Sequence, residues 1–277
     1  MPTVAELTEP YGNFMLGPVR GPRVCDVCLT FTDGYPRCYT CARTPQALDA
    51  LAPISYSVAT GQLHHVLAAY KRQDGNVGRH LSIQLAAVLW RFLSGHENCL
   101  ARAAGVPSFD LVATVPSGVG ERDSAHPLHW IVSEAAGPTR DRHRRLLGRS
   151  TVPVAPHEFD RRRYEATDRV PGAAVLVIDD TWTTGANVQS AATVLKEAGA
   201  QTVAAVVIGR HLNREWGHNE QRLSALERPF NWTRCAYCAP VSGDPADYPA
   251  GMPGTSLRAV CNPVGEERSW PRFSSTT

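Results

Sequence analysis

What this sequence has little of is net charge. Its 28 Lys and Arg stand against 26 Asp and Glu in 277 residues, leaving a formal +2 at pH 7. A surface that holds nucleic acid or membrane by bulk electrostatics needs a strong excess of one sign, so composition does not indicate such partners. Also missing is any apolar run near the roughly 20 residues that cross a bilayer. The opening residues, MPTVAELTEPYG, lack the basic-then-apolar profile of a secretory leader. A cytoplasmic protein with no membrane partner is the expectation. In a reducing compartment the eight Cys are expected as thiols or metal ligands rather than disulfides.

With 43% apolar residues, the chain is long enough for one core of roughly 150 to 200 residues with small appendages. Residues 1–22 have no clear period and read as a lead-in. Residues 23–45 contain CDVCLTFTDGYPRCYTC, in which nine residues separate Cys28 from Cys38. Zn(II) takes four tetrahedral thiolate or imidazole ligands, and each CxxC turn supplies two from one backbone reversal. Asp33-Gly34 sits midway, where a hairpin needs residues tolerant of positive φ. Cys25, Cys28, Cys38 and Cys41 therefore predict a structural Zn2+ ribbon, closed because protein fills all four positions. A redox-active dithiol is the alternative. Cys99 stands alone and reads as inert.

Residues 50–212 carry the periodic patterns. Leu63, Val66, Leu67 and Tyr70 recur at helical spacing, as do Leu81, Leu85, Val88, Leu89 and Phe92; both stripes read as core faces. Leu111–Val115 is a short β-branched run that empties into Pro116-Ser117-Gly118, and His126–Ala136 suits a helix. Gly137–Arg169 breaks period and concentrates arginine, including Arg149 and Arg161–Arg163, as expected of a long irregular segment or lid. Val175–Ile178 is the clearest buried strand. Ala186–Ala198 follows as a helix ended by Gly199, and Val203–Ile208 forms the next strand. Strand, helix, strand at this spacing predicts an α/β fold with a parallel sheet. Residues 213–277 thin out into a partly ordered extension. There Cys235, Cys238 and Cys261 make a second zinc site if His211 or His218 folds back as fourth ligand.

The most specific string is VLVIDDTWTTGANV, Val175–Val188. In a parallel sheet, ligands bind beyond the carboxyl ends of the strands, where Asp179 through Gly185 fall. Thr181, Thr183 and Thr184 offer hydroxyls, Gly185 allows close backbone approach, and the helix start presents N–H groups to an anion. Such a loop suits a phosphate. Adjacent carboxylates are costly unless solvated, bonded to hydroxyls or near a cation, and a ribose diol supplies hydroxyls. A helix cap accounts for one Asp but not for the whole string.

An apolar strand, two acidic residues and a Thr-Thr-Gly loop together resemble the diphosphate-sugar motif of the type I phosphoribosyltransferases. The four-Cys ribbon, the Tyr70-Lys71-Arg72 helix end and this motif, in that order, resemble the ComF family of competence-associated phosphoribosyltransferases over roughly Cys25 to Arg210. The resemblance implies a parallel-sheet type I phosphoribosyltransferase fold with a small N-terminal zinc ribbon. It implies that Asp179 and Asp180 hold the ribose hydroxyls of phosphoribosyl diphosphate (PRPP) and act as the catalytic pair. Thr181, Thr183, Thr184 and Gly185 then cradle the 5-phosphate, and Pro116, Ser117 and Gly118 form the pyrophosphate turn. The implied chemistry is displacement of pyrophosphate at the ribose C1 by a nitrogenous acceptor, with Mg2+ neutralising the leaving group. The sequence departs from the family pattern after Pro116, where basic residues are missing up to Arg122, and in Asp160–Tyr164, where no Asn follows the arginines. The alternative is a catalytically silent PRPP-binding or DNA-uptake-associated protein, for which nucleic acid is a partner.

Overall fold

The computed structural model describes residues 2–73, 75–117, 126–226 and 229–238. Its centre is a four-stranded parallel sheet in the order β1-β6-β5-β2, built from β1 (Ala50–Val58), β2 (Leu111–Thr114), β5 (Ala174–Trp182) and β6 (Thr202–Leu212). A separate antiparallel hairpin pairs β3 (Leu147–Arg149) with β4 (Tyr164–Ala166).

The strands are buried on both faces, which is why they read as continuous apolar runs rather than alternating ones. Alternate residues then serve two cores. Ile54, Val112, Leu176, Ile178, Val206 and Ile208 pack with the residues of α3 (Gln62–Arg72) and α4 (Gly75–Ala103). Leu51, Val175, Val177, Val203, Ala205 and Val207 pack instead with α7 (Ala186–Glu197), Tyr164 and three of the N-terminal cysteines. The result is a three-layer α/β arrangement. Cys25, Cys28 and Cys41 of residues 23–45 pack into this second core.

Three elements differ from expectation. The stretch preceding α3, which shows no clear strand pattern in the sequence, is the fully buried strand β1. Pro53 hides it in the sequence, since proline cannot donate to a ladder, yet β1 pairs with a sheet strand on one side only and tolerates it. Its other side is covered by an antiparallel bridge from Leu16 to Tyr56. The helix expected over His126–Ala136 is a short α5 (Pro127–Trp130) running into a π-helical turn, Ile131–Ala135. The arginine-rich stretch from Gly137 is folded rather than irregular. It contains α6 (Gly137–Arg140), the β3–β4 hairpin and a 3-10 turn at Arg161–Arg163. Arg142 anchors it to α4 through Glu97 at 2.6 and 2.8 Å. The Asp160 amide donates to Ser190 Oγ of α7 at 3.1 Å.

The remaining helices are short: α1 (Val4–Thr8) and α2 (Tyr39–Arg43) at the amino end, and α8 (Asn219–Ser224) after β6. Among the described residues no helix is long and apolar enough to cross a membrane.

Candidate functional site

β5 runs further than the four-residue strand predicted and carries Asp179, Asp180 and Thr181 to the carboxyl edge of the sheet before ending at Trp182. Thr183, Thr184 and Gly185 then turn the chain into α7. Gly185 caps that helix with φ +84°, a left-handed conformation natural to glycine. It also sits on the Trp182 indole, whose ring atoms lie 2.1, 2.5 and 2.7 Å from where a Cβ would stand. The buried indole therefore sets how low the loop can lie, and only glycine fits above it. Thr183 faces solvent. Thr184 Oγ1 accepts from the Ala186 amide at 3.3 Å and donates to the His157 carbonyl at 3.3 Å. The segment before β4 thereby touches the loop from above.

The two carboxylates are held differently. Asp180 is buried; its Oδ2 accepts from the Tyr70 hydroxyl and ion-pairs with Lys71 Nζ. Both partners come from the C-terminal end of α3, which lies across the sheet: Leu67 sits over Gly209 of β6 and Tyr70 reaches β5. Gly209 makes that crossing possible, because a Cβ there would meet Leu67 Cδ1 at 2.6 Å and Ser57 Cβ at 2.8 Å. Asp179 Oδ1 accepts from the Asp180 amide at 2.9 Å. Burial, and then repulsion from Asp180, raise the Asp179 pKa, with Lys71 opposing. Burial and the two carboxylates likewise push the Tyr70 phenol well above its ordinary value. An acidic pair at a strand end with one cation beside it suits a ligand that brings hydroxyls or further positive charge.

The β2–β5 register sets Thr114 opposite Ile178, so Pro116 and Ser117 leave the sheet at the same edge as Asp179 and Asp180. His126, where the chain is again described, packs edge-on against Tyr70 with ring centroids 6.2 Å apart. Gly118 and Arg122 lie outside the described residues. Arg149 and Arg161–Arg163 of the Gly137–Arg169 segment are engaged within that segment or with α7. Arg161 pairs with Glu197 at 3.0 Å, at the far end of α7 from Gly185, and Arg162 pairs with Asp160 at 2.7 Å. Arg163 is buried and donates to the carbonyls of Ala155 and Glu158. Arg149 stacks over Tyr164 at 5.6 Å.

Cys25, Cys28, Cys38 and Cys41 converge as their spacing predicts, with all four sulfurs within 4.8 Å of one another. Cys28 and Cys38 Sγ are 3.7 Å apart, against an edge of about 3.8 Å for a tetrahedron with Zn–S bonds near 2.3 Å. Gly34 takes φ +96° in the connecting turn, and Cys38 caps α2 while its sulfur accepts from the Cys41 amide at 3.5 Å. The chemistry of the surroundings fits a thiolate-bound metal. Buried Arg210 donates through Nε to the Cys28 carbonyl at 3.0 Å and through Nη2 to Cys28 Sγ at 3.4 Å. A buried guanidinium needs a counter-charge, and four thiolates around a divalent ion supply one. Arg210 Nη1 also donates to the Trp182 carbonyl at 3.3 Å, joining the cysteine cluster to the acidic loop.

The second group of cysteines is assembled differently from the expectation. Cys235 and Cys238 do come together, but their companions are His96 and Cys99 on α4. His211 instead packs at a tilt against His64 with ring centroids 5.2 Å apart, and His218 occupies the N-cap position of α8 without a side-chain capping bond. Cys261 lies outside the described residues. Cys99 is therefore not isolated. Its partnership was hidden because the helix and the C-terminal knuckle are about half the chain apart.

No family model and no curated protein matches the chain. Fold and site together define an α/β protein with a four-stranded parallel sheet. Its carboxyl edge carries an acidic, hydroxyl-rich loop, and its N-terminal cysteine cluster is able to hold a metal such as zinc.

Proposed function

We propose that the protein is a type I phosphoribosyltransferase of the ComF kind, binding PRPP and transferring phosphoribosyl to a nitrogen nucleophile with release of pyrophosphate. One observation carries this reading: an acidic pair at the carboxyl end of β5 continues directly into a Thr-Thr-Gly turn that opens α7. Helix α7 directs N–H groups and the positive end of its dipole at that turn, which suits the 5-phosphate. Asp179 and Asp180 take the ribose hydroxyls, Thr181, Thr183, Thr184 and Gly185 take the phosphate, and Pro116 to Gly118 take the pyrophosphate.

In this reading Tyr70 and Lys71 position Asp180. Lys71 also holds positive charge beside the ribose and offsets the cost of burying the Asp180 carboxylate. Mg2+ would neutralise the leaving pyrophosphate, and the two Asp carboxylates offer hard oxygen donors for it. The contribution of the chain is to position and neutralise rather than to form covalent bonds. Zinc in the N-terminal cluster is structural, and Arg210 links the cluster to the loop through the Trp182 carbonyl.

The test is calorimetry with PRPP and Mg2+, followed by pyrophosphate release across a panel of nitrogenous bases. Saturable binding abolished by Asp179→Ala with Asp180→Ala is expected, and release with at least one base. Failure to bind PRPP would overturn the reading. Binding without release for any acceptor would make the protein a PRPP-binding protein rather than an enzyme.

A further inference from the structure

We propose that His96, Cys99, Cys235 and Cys238 form a second, structural zinc centre that staples residues 229–238 onto α4. The proposal is independent of the reading of the acidic loop. The four candidate ligand atoms lie within 4.8 Å of one another. Cys235 and Cys238 Sγ are 3.5 Å apart, and His96 Nδ1 is 3.7 Å from Cys238 Sγ and 4.0 Å from Cys99 Sγ. A tetrahedral zinc with three sulfurs and one nitrogen asks for S–S edges of about 3.8 Å and N–S edges of about 3.6 Å.

The orientation of each ligand agrees. His96 and Cys99 are three residues apart on α4, so they project from one face of the helix. His96 Nε2 lies 3.0 Å from the Trp232 carbonyl. A carbonyl only accepts, so Nε2 carries the proton and the Nδ1 lone pair faces the sulfurs. An outer hydrogen bond of this kind fixes the tautomer of a metal-bound imidazole. On the other side, the Cys235–Cys238 turn aims its own amides at its sulfurs. Cys235 N donates to Cys238 Sγ at 3.2 Å and Tyr237 N donates to Cys235 Sγ at 3.4 Å. Such donors stabilise thiolates. His96, Cys99 and Cys235 are buried and Cys238 is half-buried, and all four positions belong to protein, so no place remains for a reacting water.

The fold needs such a staple here. Residues 229–238 contain no helix or strand, yet Phe230 and Cys235 enter the core beside α4. The segment's other ties include Phe230 N to the Gly12 carbonyl at 2.8 Å, the Tyr237 hydroxyl between the Leu51 amide and carbonyl, Arg20 over Tyr237 and Arg91 over Trp232. Metal binding energy is folding energy when the ligands are brought together only by the fold. A zinc at this point would tie the last described segment to α4 and, through Tyr237, to the edge strand β1.

Zinc content of the full-length protein, with cobalt substitution as a spectroscopic check, tests this. Wild type should carry two zinc per chain, and Cys235→Ser with Cys238→Ser should carry one. Cys25→Ser with Cys38→Ser should also retain one. In the cobalt-loaded form, the difference between wild type and the Cys235/Cys238 variant should show thiolate-to-cobalt charge transfer, and His96→Gln should shift its ligand-field bands. Should the serine variants fail to fold, native-state alkylation of wild type replaces them: Cys99, Cys235 and Cys238 should react only after a chelator strips the metal. Unchanged zinc content in the Cys235/Cys238 variant, or ready alkylation of these cysteines in zinc-loaded wild type, would overturn the proposal.

Discussion

Substituting alanine at Gly185 separates two physical effects that the loop combines. At φ +84° an L-residue is strained, at a cost of about 1–2 kcal/mol. The added methyl would also stand 2.1 to 2.7 Å from three atoms of the Trp182 ring, and forcing a methyl into a packed site costs about 1–3 kcal/mol more. The expected destabilisation is therefore about 2–5 kcal/mol, or ~4–20 °C in Tm at about 2–4 °C per kcal/mol for a domain of this size. Gly172 provides the control, with φ +74° and nothing within 4 Å of its would-be Cβ. Gly172→Ala should cost only the backbone share, about 1–2 kcal/mol. Urea and thermal unfolding followed by circular dichroism measure both. Adding Trp182→Leu to Gly185→Ala should relieve the steric share, giving a double-mutant cycle non-additive by about 1–3 kcal/mol. If Gly185→Ala proved no worse than Gly172→Ala, or the cycle were additive, the indole would not support the loop as described.

Two further predictions concern charge. The Asp179 pKa is raised by burial and by Asp180, so the folded state retains a proton that the unfolded chain has already released. The sign follows: stability falls as pH rises from the ordinary carboxylate range toward the raised value, and the penalty is absent below that range. Asp179→Asn should thus stabilise the protein at pH 7.5 but hardly at pH 4.5 in paired urea titrations, while losing PRPP binding; a destabilised Asn variant at pH 7.5 would contradict the assignment. Arg210→Met should leave the N-terminal metal centre without its buried counter-charge, costing about 3–5 kcal/mol and weakening zinc retention about 10- to 100-fold in competition with a chromophoric chelator. Zinc retention equal to wild type would show that the guanidinium is not its electrostatic partner.

Local patterns were enough to expose much of this protein. The CxxC pairs foretold the N-terminal cluster because each knuckle is a local turn, and only the meeting of two turns depends on the fold. The Val175–Ile178 strand, the acidic pair, Gly185 and α7 are contiguous, so their order along the chain is nearly their order in space. The strand β1 escaped notice because Pro53 argues against a strand unless its edge position is known. Position in the sheet also decided what surrounds Asp180: Tyr70 and Lys71 reach it only because α3 lies across the sheet over Gly209.

The sequence by itself determined the α/β class, the four N-terminal thiols and the acidic, hydroxyl-rich loop, because each is written in residues close along the chain. Only the tertiary structure decided that His96 and Cys99 meet Cys235 and Cys238, that Arg161 turns to Glu197, and that Arg210 stands between Cys28 and Trp182. Those partnerships join residues from a few tens to well over a hundred positions apart, and local spacing carries no record of which distant side chains packing will bring into contact.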